Sequence, residues 1–206
     1  MANIPINNAP QYLSMLDFKS MSDMYGGLAK SCRFAVRIIP QGSLVQRLAG
    51  GFTQDLVYLC EAAEYPGRGF FNLEPRYYGP NFKVPYQPQY EDITLTFICR
   101  NSSFERQFFD DWQVLINPPN TFDFSYRDDY RSRIEIFQFD DENEPQYYFT
   151  LLDAYPILVN PQQLTWADDQ FLRLGVTFTY SWWLRPGIDD IRSQSTIASA
   201  PFIQKR

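Results

Sequence analysis

Every second residue is apolar along Phe171-Leu-Arg-Leu-Gly-Val-Thr-Phe-Thr-Tyr-Ser-Trp-Trp183, and that period constrains the fold more than any other feature of the chain. Side chains of an extended strand point alternately to opposite faces, so Leu172, Leu174, Val176, Phe178 and Tyr180 share one face. The same period recurs in Asp92–Cys99, with Ile93, Leu95, Phe97 and Cys99 on one face and Thr94 and Thr96 on the other. It recurs again in Cys32–Ile39, where Phe34, Val36 and Ile38 align before Pro40 ends the run. A second strand is expected over Leu56–Glu61, stopped by the turn signal Tyr65-Pro66-Gly67. Ser132–Phe139 and Gln146–Ala154 read as a hairpin closed by an acidic turn, and the terminal strand reads as the longest.

One segment breaks the β pattern. From about Ser103 to Ile116, Phe104, Phe108, Trp112, Leu115 and Ile116 recur at helical spacing, with Ser102 and Glu105 placed for a capping box and Asn117-Pro118 as the stop. Gln41–Gln54 reads as a Gly-rich connection. Residues 67–90 carry Phe70, Phe71, Tyr77, Tyr78, Phe82, Tyr86 and Tyr90 among prolines and glycines, as a long hairpin or an extended loop. So many aromatics are poorly left in water and call for a covering surface, in this chain or a neighbour. The expected organisation is an N-terminal arm over 1–30, a β domain over 31–185 and a polar C-terminal tail over 186–206. The fold class is mainly β, an antiparallel sandwich or barrel with one flanking helix.

Composition narrows the chemistry. With 45% hydrophobic residues, among them 18 Phe, 14 Tyr and 4 Trp, the chain can form a substantial core. It has no histidine, so Ser-His-Asp and Cys-His catalysis and His-ligated metal sites lie beyond this chain alone. Cys32, Cys60 and Cys99 lack metal-ligand spacing and read as buried reduced thiols in strand-like runs. The five Asp-Asp pairs match no calcium loop and read as solvated turns and faces. No nucleophile, base or metal constellation emerges, so neither an enzyme, a cofactor nor a metal site is expected. A net charge of −6 opposes tight binding to phosphate backbones and suits a surface that DNA passes without sticking. Neither a secretory signal nor an apolar stretch of membrane-spanning length is present in the sequence, so assembly in a cytoplasm is expected.

Three segments, in order, resemble the tail tube proteins of T4-like contractile phages. Arg33-Phe-Ala-Val-Arg-Ile38 is followed by a strand and a corner reading Cys60, Ala62 or Ala63, Tyr65, Pro66 and Gly67. A strand–helix unit ends in Arg106-Gln-Phe-Phe-Asp-Asp-Trp112. Leu152-Asp-Ala-Tyr-Pro156 leads through Leu164-Thr-Trp166 to the terminal strand and its aromatic cluster, Tyr180-Ser-Trp-Trp183. The resemblance covers about 31–184.

That resemblance implies six copies joining strands into a ring with a continuous inner β-barrel, and rings stacking into the conduit for DNA ejection. The implied partners are further copies of the chain, the tail sheath protein, a tape-measure protein, a baseplate tube initiator and a tail terminator, with genomic DNA in transit without sequence specificity. The implied location is the virion tail. Arg68, Phe70, Phe71, Leu73, Arg76, Tyr77, Tyr78 and Trp183 are the expected contacts between rings or subunits, and a few of the paired aspartates, with Glu61 or Glu135, are expected to line an acidic lumen. A baseplate hub or tube-initiator ring of the same fold is the second reading. A carbohydrate-binding β-sandwich, with Trp182 or Trp183 stacking on a sugar, is the distant third.

Overall fold

The computed structural model describes residues 19–20, 27–50, 53–75, 79, 82–167 and 169–185. The chain divides into two units, Met1–Arg33 and Phe34–Arg206. In the first, Arg33 N–H donates to Lys30 O at 3.4 Å across a turn at 31–32.

Among the described residues the second unit contains nine strands: β1 Phe34–Pro40, β2 Cys60–Ala63, β3 Arg68–Leu73, β4 Val84–Tyr90, β5 Ile93–Ile98, β6 Ser132–Phe139, β7 Pro145–Val159, β8 Arg173–Thr179 and β9 Trp182–Leu184. Four helical segments accompany them, α1 Ser43–Ala49, α2 Thr53–Leu59, α3 Phe104–Ile116 and the single turn α4 Arg127–Tyr130. The main sheet has the order β1-β6-β7-β8-β5-β2, with β9 added to β7, and every pairing is antiparallel. β3 and β4 form a separate two-stranded ribbon.

The period-two pattern sets the core. Ile93, Leu95 and Phe97 of β5 and Leu174, Val176 and Phe178 of β8 are buried opposite one another, while Thr94 and Thr177 meet on the other face at 3.4 Å. Helix α3 supplies the second layer, with Phe108, Phe109 and Trp112 fully buried. Phe109 lies 5.2 Å from the Phe97 ring and 5.9 Å from Phe178, both tilted or edge-on. Each such aromatic contributes roughly 1.5–3 kcal/mol of transfer free energy on burial. The indole N–H of Trp112 donates to Tyr130 O at 3.0 Å, so its polar handle is also satisfied.

β7 is the longest strand, at 15 residues, in place of the terminal one. Its first half pairs with β6 and β9, and its second half with β8. The bend falls at Asp153, whose φ of 56° is left-handed and where the β6 register slips between Ser132 and Ile134. The run expected as one strand over 171–183 is divided into β8 and β9 at Tyr180-Ser181, where Ser181 N–H donates to Leu152 O.

Two expectations fail in the first half of the domain. The connection 41–54 holds a helix, α1, and the strand expected over Leu56–Glu61 is helix α2 followed by the short β2. In α1, Val45 and Ala49 stand one turn apart and are buried, and Gly50 at φ 47° closes the helix in the left-handed region. In α2, Leu56 is buried while Tyr58 is 89% exposed, whereas a strand would have put both on one face. The capping box is also absent. The N-cap of α3 is Ser103, without a side-chain bond, and the fully buried Glu105 instead accepts from Arg100 N–H at 3.1 Å and Arg100 Nε at 2.6 Å. Arg100 also reaches Asp55 of α2 at 3.2 Å, linking the two helices.

Candidate assembly surfaces

The β3–β4 ribbon is rich in exposed apolar side chains. Register pairs Phe70 with Pro88, Phe71 with Gln87 and Leu73 with Val84, so apolar groups stand on both faces. Phe70, Phe71, Leu73, Phe82, Val84 and Tyr86 are all exposed, from 40% at Val84 to 75% at Tyr86. Leaving that surface in water is costly for a solitary domain. Arg68 is folded over it, with its guanidinium 5.2 Å from the Phe70 ring and 5.8 Å from Tyr90. The two ribbon edges differ. β4 carries Pro85 and Pro88, which have no N–H to offer, whereas β3 has none. Of the expected contact residues, Arg68, Phe70, Phe71 and Leu73 lie together here, and Arg76, Tyr77 and Tyr78 lie outside the described residues.

Trp183 stands apart from this group in its role. It is half-buried, edge-on to Phe149 at 5.3 Å, and its Nε1–H donates to Gly67 O at 3.2 Å, so it holds the root of the ribbon onto β7. Its neighbour Trp182, on the opposite face of β9, is the more exposed at 43%.

The two glutamates expected at the lumen are on the sheet face away from the core, and both are neutralised there. Glu135 is only 8% exposed, because Arg37, opposite it in register, bonds it through Nε at 2.9 Å and Arg133 adds an ion pair at 3.3 Å. Glu61 receives Arg173 Nη2–H at 2.9 Å, which lowers the Glu61 pKa and raises that of Arg173. This face is therefore charge-compensated, with Thr94 and Thr177 on its β5–β8 part and the Phe137 and Tyr148 rings beside Glu135.

The thiols do not share one environment. Cys32 is exposed, contrary to the expectation of burial, and precedes β1 in a turn. Burial pushes the Cys60 thiol up to about 12, and Cys99 is raised by the same cause. No group of three or more Cys, Asp or Glu side chains that could hold a metal ion occurs among the described residues. Of the Asp-Asp pairs, Asp110 pairs with Arg106 and Asp140 caps its own turn by accepting from Glu142 and Glu144 N–H, while Asp168 and the pair at 189–190 lie outside the described residues.

Further large apolar groups reach solvent at two loops. Phe122, Phe124 and Tyr126 follow α3, and Leu164, Trp166 and Phe171 lie between β7 and β8. The outer edges of β1 and β2 end the main sheet without a further strand among the described residues. An antiparallel domain with open sheet edges and an apolar ribbon projecting into water has the makings of a self-assembling structural protein. The model of the phage tail tube protein family matches residues 29–185, and the chain belongs to that family of structural tail components, which are not enzymes. No curated protein matches it in sequence. Among solved structures, a chain of the PVC extracellular contractile injection system sheath–tube complex in the extended state is 16% identical, with 81% of this chain and 95% of that one covered and a TM-score of 0.57. A chain of the anti-feeding prophage baseplate is likewise 16% identical, covering 78% and 97%, at 0.56. A chain of the anti-feeding prophage tube-terminating cap, also 16% identical, covers 90% and 98% at 0.51. At these identities the likeness is one of fold.

Proposed function

We propose that this chain is the repeating subunit of the inner tube of a contractile phage tail, with six copies closing a ring through their open sheet edges and rings stacking into the conduit for DNA ejection. The observation that carries the reading is the β3–β4 ribbon, whose exposed Phe70, Phe71, Leu73 and Tyr86 need a second surface. Open edges on β1 and β2 support ring closure, since joining them between copies removes the unpaired backbone groups that invite uncontrolled association. The face bearing Glu61–Arg173 and Arg37–Glu135 is assigned to the lumen, where compensated charges offer DNA neither attraction nor a counter-ion site. The sheath outside, a tape-measure protein inside, and an initiator and a terminator at the two ends are the partners this role requires. Assembly in the host cytoplasm precedes incorporation into the virion tail, and the arm over 1–30 and tail over 186–206 are assigned to contacts with these partners.

Negative-stain electron microscopy of the concentrated protein tests the reading. Long tubes of uniform width are expected, and Phe71→Ala is expected to leave a folded chain that no longer grows them. Rings that never stack would move the assignment to an initiator or baseplate ring, a reading kept in view by the fold likeness to the baseplate chain. Wild-type tube length in Phe71→Ala would remove the ribbon from the assembly.

A further inference from the structure

The ribbon and one of the exposed apolar loops sit at opposite ends of the same two strands. β5 and β8 run antiparallel, with Ile93 opposite Phe178 at one end and Ile98 opposite Arg173 at the other, about 17 Å apart. The ribbon joins at the Ile93 end, where β4 stops at Tyr90. The segment 160–172 occupies the Ile98 end, because Cys99 N–H donates to Leu172 O and Asn160 N–H to Gly175 O.

That loop has a fixed base and an apolar crest. Gln162 Nε2 donates to Arg173 O at 3.0 Å, and Ala167 N–H donates to Thr165 Oγ1 at 3.2 Å. Above this base Leu164 is 81% exposed, Trp166 fully exposed and Phe171 77% exposed, beside a cavity of about 360 Å³ whose walls combine Pro161, Leu164, Phe171 and Leu172 with three glutamines, Thr165 and Arg173. The cavity has room for an aromatic side chain, and a Trp at the centre of such a crest is a typical energetic anchor. The charges complement one another. Residues 160–172 hold two aspartates, and Arg173 in the cavity wall is already paired with Glu61, whereas residues 68–90 hold Arg68 and Arg76 beyond the Lys83–Glu74 pair.

We infer that the loop 160–172, through Leu164, Trp166 and Phe171, receives the β3–β4 ribbon of a second copy in the next ring. The inference rests on the stacked-ring reading and adds the receiving surface to it. A protrusion at one end of a domain and its receptor at the other make a head-to-tail contact, which repeats without closing and so generates a filament. The Phe122–Tyr126 stripe does not meet this condition, because it follows the C-terminal end of α3, whose start lies by the Ile98 end.

The deciding experiment places photoreactive benzoylphenylalanine at Phe71 in the full chain and irradiates tubes assembled in vitro or recovered from particles. Adducts between copies are expected within residues 160–172. Adducts concentrated at 122–126 or elsewhere would overturn the inference while leaving the ribbon in the stacking contact. Absence of any adduct between copies would overturn the stacked-ribbon reading itself. Independently, Trp166→Ser should leave the melting temperature and ring formation unchanged and raise the concentration needed for tube growth at least about tenfold. Growth at the wild-type concentration would count against the loop. Should Trp166→Ser fail to fold, the cross-link, which leaves 160–172 untouched, decides the question.

Discussion

Arg127 donates to the carboxylate of Asp153 at 2.9 Å, and Asp153 occupies left-handed backbone at the point where β7 passes from one set of partners to the other. Arg131 reaches the other oxygen at 3.3 Å, and Arg127 also bonds Ser181. The bend of the longest strand is thus tied by side chains to α4 and to the break before β9. Asp tolerates positive φ better than most residues, so its identity serves both the backbone and the ion pairs.

Replacing Asp153 by Ala removes both contributions and is expected to cost about 2–4 kcal/mol, from the left-handed penalty and the lost charged hydrogen bonds. Asp153→Asn keeps the backbone preference and should cost about half as much. Urea unfolding of the two variants separates the effects, and equal losses would show that only the charge matters.

Trp112 is expected to be the most sensitive core position. Trp112→Ala should lose roughly 3–5 kcal/mol through the cavity it leaves under β5 and β8. Trp112→Phe keeps a ring against Phe178 but leaves Tyr130 O without its donor, at about 1–3 kcal/mol. Thermal unfolding of both variants against wild type checks the order.

The Glu61–Arg173 pair predicts a pH signature. The folded-state pKa of Glu61 is lowered, foremost by the hydrogen bond from Arg173. Its contribution is therefore present above the ordinary glutamate pKa and lost as pH falls through the depressed one. Glu61→Gln should melt slightly below wild type at pH 7, and the two should converge at acid pH. Because the pair is exposed, added salt should narrow the gap as well. A gap that widens on acidification would contradict the assignment.

Thiol reactivity should separate the three cysteines. Only the thiolate is nucleophilic, so Cys60, with its pKa pushed up to about 12, should resist alkylation at pH 8 in the native protein, while exposed Cys32 lies open to the reagent and should be labelled first. Peptide mapping after timed iodoacetamide treatment reads the order directly. Labelling of Cys60 as fast as Cys32 would mean that β2 opens readily.

The sequence disclosed strands best where one face is buried and the other wet. Ile93-Thr-Leu-Thr-Phe97 and Leu174-Gly-Val-Thr-Phe178 alternate because each touches the core on one side only, and helix Phe104–Ile116 is long enough to show its period. α1 and α2 were hidden because two turns each are too short to establish a period, and Val57-Tyr-Leu59 has strand-like composition that packing on β1 overrides. Glu105 reads as a cap from spacing alone, and only the fold brings Arg100 back over it.

The candidate surfaces were partly legible for a similar reason. The density of aromatics at 70–90 is a local property and stands out in the sequence. The neutralisation of Glu135 depends on Arg37, which is 98 positions away, and no spacing rule announces it. Likewise nothing in Leu164-Thr-Trp166 says that it stands at the opposite end of β5 from the ribbon, since that follows from the strand register.

The unequal edges of the ribbon bear on solubility before assembly. Prolines 85 and 88 cannot supply the donors that a further strand laid along β4 would need, so layer-by-layer recruitment of unfolded or misfolded chains is blocked on that side. The ribbon can therefore take a further strand along β3 alone, and its β4 side is left to side-chain contact with a folded surface.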